Sequence, residues 1–261
     1  MSKFGVMVIS HGSRSKEWVR LVDDAVAQVR LPAQVPVVSV FLELIEGRLI
    51  QDGIRMLEEM GVTDIVAVPL FISSGSTHID EISYALGVID HPTLPTDMVP
   101  FERKAVIHFT PPIDDDPEIA GILYEKVREL SADPSRELLL LVGHGSVEKG
   151  FHGRWRQVLE GLASRVQTLG GFDAADAAML LPDQINFKLR LWQKRKPGHR
   201  VIVAPLFLSE GYFTREVIPS RLKDWAYSYN GRALLPHPLM SGWIEGRVLT
   251  VLRAKSELIL R

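Results

Sequence analysis

Two histidines and one glutamate are the residues of this chain best placed to do chemistry. His11 follows the apolar run 4–10, Glu43 follows the apolar run 37–42, and His78 sits in the polar stretch after the apolar run 65–72. Each apolar run reads as a strand. In an open α/β sheet, ligands bind just beyond the carboxyl ends of the strands, so three strand ends at one sheet edge bring distant residues into one site. Two imidazoles and a carboxylate suit a divalent first-row metal such as iron, cobalt, nickel or zinc. The same groups serve proton transfer near neutral pH. Each also has an ordinary reading: a solvated loop histidine for His11, the first turn of a helix for His78, a helix N-terminal charge for Glu43.

Other chemistries are excluded by what is missing. The chain has no cysteine, so disulfides, thiolate metal sites and cysteine nucleophiles drop out. Gly12-Ser13 and Gly145-Ser146 lack the spacing of a phosphate-binding loop or a dinucleotide fingerprint, and no nucleophile elbow is present. Their small residues let the backbone turn tightly near a ligand. His91, His108, His199 and His237 are expected at the surface, while the placing of His152 is open.

The elements that position these residues come in two copies. His-Gly-Ser occurs at 11–13 and 144–146, and Pro-Leu-Phe at 69–71 and 205–207. The separations, 133 and 136 residues, are nearly equal, which marks an internal duplication. The first half reads as strands at 4–10, 37–42, 65–72 and 105–109, with helices from Lys16, from about Leu49 to Leu57 with Gly61 closing it, after His78, and at 117–130. Residues 87–102 read as a surface excursion and 131–136 as the linker. The second half reads as strands at 138–142, 177–181, 201–208 and 232–235, with helices at 153–168, 184–194, 214–229 and 242–258. Alternating strands and helices give βαβ units and parallel sheets. The fold class is therefore α/β, two similar lobes at 1–131 and 137–261, each a four-stranded parallel sheet flanked by helices.

The lobes are not chemically equal. An ungapped match through the two prolines puts Thr214 opposite His78, and Leu180-Leu181-Pro182 or its neighbours opposite Phe41-Leu42-Glu43. Only His144 keeps its counterpart. One active site, built mainly in the first lobe, is expected.

A chain of 261 residues, 46% hydrophobic and 24% charged, has the composition of an ordinary globular protein. A formal net charge of −2 gives no basic face for nucleic acid. No signal segment or membrane-length apolar run is seen, which makes the cytoplasm the expected compartment. None of these features speaks to oligomeric state.

The ordered set Ser10-His11-Gly12-Ser13-Arg14, Phe41-Leu42-Glu43, Pro69-Leu70-Phe71 and the glycine-containing loop before His78 resembles the class II chelatases of the sirohydrochlorin cobaltochelatase and ferrochelatase type, over essentially the whole chain. The resemblance implies insertion of a divalent metal, Co²⁺, Fe²⁺ or Ni²⁺, into a tetrapyrrole. The ion is a substrate, and no organic cofactor is needed. It also implies that His11, Glu43 and His78 bind the incoming metal and accept pyrrole protons. Sirohydrochlorin carries eight carboxylates, so positive groups are expected around it: Arg14, Lys16 and Arg48 with Ser13 in the first lobe, and Arg215 in the second, with Tyr212 and Phe213 packing against the ring. The competing reading is a carrier that binds metal or tetrapyrrole without catalysing.

Overall fold

The computed structural model describes residues 2–259. Its first sheet is parallel, in the order β2 (Val37–Phe41), β1 (Phe4–Ser10), β3 (Asp64–Pro69), β4 (Val106–Phe109). Central β1 is covered on both faces: Val6, Met7, Val8 and Ile9 are all 0% exposed, as expected for an unbroken apolar run in a parallel sheet. Helices α1 (Lys16–Ala27), α2 (Ile50–Glu59) and α3 (Thr77–Ala85) follow β1, β2 and β3. The Ser15 side chain caps α1 by accepting from the Trp18 amide at 3.3 Å.

The second sheet is also parallel but has three strands, β6 (Ala174–Leu181), β5 (Glu137–Gly145) and β7 (Arg200–Leu206). The strand expected at 232–235 does not form. Chain returning toward the β7 edge makes one isolated bridge, through Ser228 to Ile202. It then turns at Gly231, whose φ is +72°, before a ladder can propagate. Leu234 and Leu235 instead donate single backbone bonds to Phe207 and Leu208. The expected helix 214–229 also shortens, to a π-turn at Phe213–Val217 and a helix α7 (Ile218–Leu222), because Trp225, Tyr227 and Tyr229 pack against the apolar core of this sheet instead of continuing the helix. The remaining helices are α4 (Pro117–Val127), α5 (Phe151–Gly170), α6 (Ile185–Arg195) and α8 (Pro238–Ile259).

The compact units are drawn differently from the sequence halves 1–131 and 137–261. Among the described residues one unit holds 2–71, 77–112 and 238–259; the other holds 72–76 and 113–237. Each unit thus carries one half's strands and the other half's last helix. In the first unit α8 packs on α1 and β3, burying Trp243, Ile244 and Val248. In the second, α4 packs on α5 and β7, burying Ile119, Ile122 and Leu123. Among the described residues no helix is long and apolar enough to cross a membrane.

Candidate active site

The backbone of β1 ends by delivering His11 to the β2 end. Beyond the ladder, Leu42 donates to the Ser10 carbonyl at 2.8 Å and Glu43 to the His11 carbonyl at 3.1 Å. Only glycine fits at position 12. Its φ is +99°, and a Cβ there would lie 2.1 Å from the Glu43 carbonyl oxygen. The His-Gly pair is thus the means by which the two strand ends touch.

The structure brings the three sequence candidates together. The His11 and His78 rings meet edge to face, with centroids 4.8 Å apart and planes at 75°. A Glu43 carboxylate oxygen lies 3.6 Å from His11 Nδ1. Their side chains are accessible, at 41% for His11, 39% for His78 and 53% for Glu43. Phe71 stands behind His78, ring centroids 6.3 Å apart. His78 is the second residue of α3, so both readings of it hold: it begins a helix, and it faces His11. Among the described residues no group of three or more His, Asp or Glu side chains is arranged to hold a metal ion. The set is two adjacent imidazoles flanked by a carboxylate, open to solvent.

Hydrogen bonds assign the ring nitrogens. His11 Nδ1 lies 3.2 Å from the Gly12 carbonyl oxygen, an acceptor only, so in the neutral ring Nδ1 carries the proton and Nε2 keeps the lone pair. His78 Nδ1 lies 3.1 Å from Glu81 Oε2, with the same consequence. Two Nε2 lone pairs are what a divalent metal or an N–H proton needs.

The proposed substrate-contacting residues divide. Ser13, Arg14 and Lys16 line an open hollow of about 340 Å³ with Val19, Arg20, Asp23, Leu44 and Ile45, beside the His11 turn. Arg48 is committed elsewhere: it donates to Asp23 at 2.9 and 2.6 Å, bonds Ser39, and lies over the Phe41 ring at 4.8 Å. Burial raises the Asp23 carboxyl, but hydrogen bonds from Arg48 and Ser39 more than offset this and leave it below the usual carboxylate value. Tyr212 and Phe213 lie in the second unit. Tyr212 is 71% exposed, Phe213 stacks on Phe207 at 5.4 Å, and Arg215 pairs with Glu210 at 3.3 Å.

In that second unit the corresponding positions carry no donor set. His144 Nδ1 faces the Gly145 carbonyl at 3.0 Å. A Cβ on Gly145 would lie 2.4 Å from the Leu181 carbonyl, so Leu181 is the counterpart of Glu43. The ring standing edge to face on His144, centroids 5.1 Å apart and planes at 85°, is Phe213. It takes the place of His78, one residue from the Thr214 that the ungapped match selected. The same unit holds loop 72–76, where a Cβ on Gly75 would meet the Phe151 carbonyl and the Trp155 amide, which accounts for the glycine of Ser73-Ser74-Gly75-Ser76.

Two of the histidines expected at the surface are largely buried instead. His108 bonds Asp64 at 2.8 Å with 11% of its side chain exposed, and His237 bonds Glu125 at 3.1 Å with 9% exposed. Strand pairing carries His108 against Asp64, which no spacing rule predicts. His199 bonds Asp173 at 2.8 Å, and His152 bonds the Ser146 carbonyl at 2.9 Å. Glu81 was missed outright, although its place three residues after His78 on a helix start puts the pair on one face.

The chain is similar to several known proteins. The curated relatives it matches include the sirohydrochlorin cobaltochelatases of Methanopyrus kandleri, 28% identical over 136 residues (48% of this chain, 94% of that protein), and of Methanosarcina acetivorans, 30% identical over 131 residues (49% and 96%). Similar solved structures include SirB from Bacillus subtilis with Fe³⁺, at TM-score 0.71 and 20% identity, and the sirohydrochlorin chelatase SirB from Bacillus subtilis subspecies spizizenii in complex with cobalt, at 0.68 and 21%. Each covers 94% of both chains, a likeness of fold. The CbiX family model matches twice, over residues 5–130 and 138–251, and the chain belongs to the CbiX family.

Proposed function

We propose that this protein inserts a divalent metal, Co²⁺ or Fe²⁺ with Ni²⁺ as a third candidate, into sirohydrochlorin, and that His11, His78 and Glu43 carry the reaction in the cytoplasm. The observation that supports this most is the His11–His78 pair at 4.8 Å with the Glu43 carboxylate beside it, a set whose counterpart in the second unit has Phe213 and Leu181 at the two changed positions. The names of the relatives agree with this substrate class.

Chelation must deliver a cation and remove two N–H protons from the macrocycle. Nitrogen and oxygen ligands without thiolate hold first-row ions while leaving them exchangeable, and each Nε2 lone pair of His11 and His78 can first ligate the ion and then, once the ion has passed to the ring nitrogens, accept one of the two protons released. Glu43 serves as third ligand or as proton acceptor beside His11. Ser13, Arg14 and Lys16 are assigned to the carboxylates of the substrate, which a cationic rim attracts. Arg48 is assigned the same role in the sequence reading, but its pairing with Asp23 makes it a support of the β2 end.

The test is direct. Purified protein mixed with sirohydrochlorin and Co²⁺, Fe²⁺ or Ni²⁺ in turn should accelerate the absorbance change of metal insertion, and the ranking of the three rates identifies the metal. A rate no faster than the spontaneous reaction rejects the enzyme, and stoichiometric binding without acceleration replaces it with a carrier.

A further inference from the structure

The second residue pair on the start of α3 has a role outside the three-residue set. His78 Nδ1 meets Glu81 Oε2 at 3.1 Å, and the other oxygen, Oε1, accepts from Thr96 Oγ1 at 3.1 Å. Thr96 Oγ1 in turn accepts from the Met98 amide at 3.2 Å. The neighbouring Asp80 holds the same segment through Thr93, accepting from its amide at 2.5 Å and its hydroxyl at 2.7 Å. The polar excursion after α3 is thus pinned to the helix start by two consecutive acids, and one of them continues to the ring of His78.

We propose that Glu81 is a positioning residue: it fixes His78 in the tautomer with the proton on Nδ1 and holds the ring so that Nε2 is presented to the incoming metal. The inference deepens the chelatase reading and rests on it for the identity of the metal's destination. The physical warrant is that a histidine ligand is oriented by whatever its second nitrogen donates to, and that loss of such a partner typically weakens metal binding by about 10–100-fold. His11 obtains this from its own chain, through the Gly12 carbonyl at 3.2 Å. His78 lies in a helix, where the following carbonyls are engaged in the backbone ladder, so it needs a side chain. Thr96 holds the carboxylate in turn, so that Glu81 does not have to choose between water and the imidazole.

A purely structural carboxylate on the first turn of a helix would add stability through the helix dipole and leave the ring nitrogens alone, so the readouts are chosen to separate the two roles. ¹⁵N–¹H correlation spectra of the His78 ring should show the Nδ1–H form in the unsubstituted protein, a mixture of tautomers in Glu81→Ala, and recovery in Glu81→Gln, whose amide oxygen accepts the same bond. Titration with Co²⁺ alone, followed by its visible bands, should weaken about 10–100-fold in Glu81→Ala, about two- to fivefold in Thr96→Val, and little in Glu81→Gln. An unchanged tautomer and unchanged Co²⁺ affinity in Glu81→Ala overturn the proposal, as does a Glu81→Gln variant that loses as much as Glu81→Ala. These readouts need no sirohydrochlorin. A wild-type protein with the expected tautomer and no metal insertion leaves Glu81 in place and rejects the chelatase, whereas full metal insertion by Glu81→Ala does the opposite.

Discussion

The two units place the same backbone device at the same strand end and attach different chemistry to it. Gly12 and Gly145 both adopt positive φ, +99° and +81°, and both admit the next strand's carbonyl into the space of a missing Cβ. His11 and His144 both point Nδ1 at the following glycine's carbonyl. Each imidazole then carries a ring edge to face. That ring is His78 in one unit and Phe213 in the other, and the adjacent strand end supplies Glu43 in one and Leu181 in the other. Duplication has therefore kept the cradle and varied its contents, and a histidine in the right cradle is not by itself a site.

The largest effect that tests this contrast is on turnover. His11→Ala or His78→Ala should lower metal insertion by about 10²–10⁴-fold, the usual contribution of a positioned acid–base group, whereas His144→Ala should stay within about twofold of wild type. The assay is initial rate with sirohydrochlorin and the preferred metal. Equal losses from all three would erase the asymmetry.

Glycine substitutions probe the shared part. Gly12→Ala and Gly145→Ala should each destabilise by about 1–3 kcal/mol through a positive φ and a filled approach, seen as a lowered Tm. Only Gly12→Ala should also reduce the rate, because it alone displaces Glu43 from His11. Similar Tm losses with similar rate losses would mean that the second cradle participates.

A third contrast runs the other way, at the opposite end of the central strands. β5 begins with Glu137, fully buried, where β1 begins with Phe4 against the His108 ring at 5.8 Å. Burial raises the Glu137 carboxyl, but the amides of Ala132 and Asp133, the Ser131 hydroxyl and Arg200 together hold it below the usual carboxylate value. A folded-state pKa below the unfolded one contributes stability above about pH 4.3 that is lost as pH falls through the folded value. Acid unfolding followed by tryptophan fluorescence should become less pH-dependent below that range in Glu137→Gln, which should also lower stability at neutral pH by about 1–3 kcal/mol. An unchanged acid limb would remove Glu137 from the cause.

The smallest expected effect is a gain. Leu181→Glu combined with Phe213→His should give the second unit a weak Co²⁺ site: Glu216 stands three residues after position 213 as Glu81 does after His78, but on a π-turn instead of an α-helix, so the new ring should be less well oriented and the site about tenfold or more weaker than the first. Calorimetric stoichiometry should move from one ion per chain toward two; a single ion would show that the cradle needs more than its two missing donors.

Much of this was legible in the amino-acid sequence because it depends on local pattern. Continuous apolar runs predicted buried parallel strands, the repeated His-Gly-Ser and Pro-Leu-Phe exposed the duplication, and strand-end placement selected His11, Glu43 and His78. The ordered set also resembled the family to which the chain belongs. These signals survive in one dimension because hydrophobic periodicity and glycine requirements are properties of neighbouring residues.

Only the tertiary structure decided which side chains touch. It paired Arg48 with Asp23, buried His108 against Asp64, put Phe213 where an ungapped match selected Thr214, and drew Glu81 and Thr96 behind His78. It also exchanged the last helices, so that α8 buries Trp243 in the unit of β1. The reason is that ring contacts, carboxylate partners and helix docking are set by crossings of chain remote in sequence, where a shift of one residue or one helix turn changes the partner and leaves the local pattern intact.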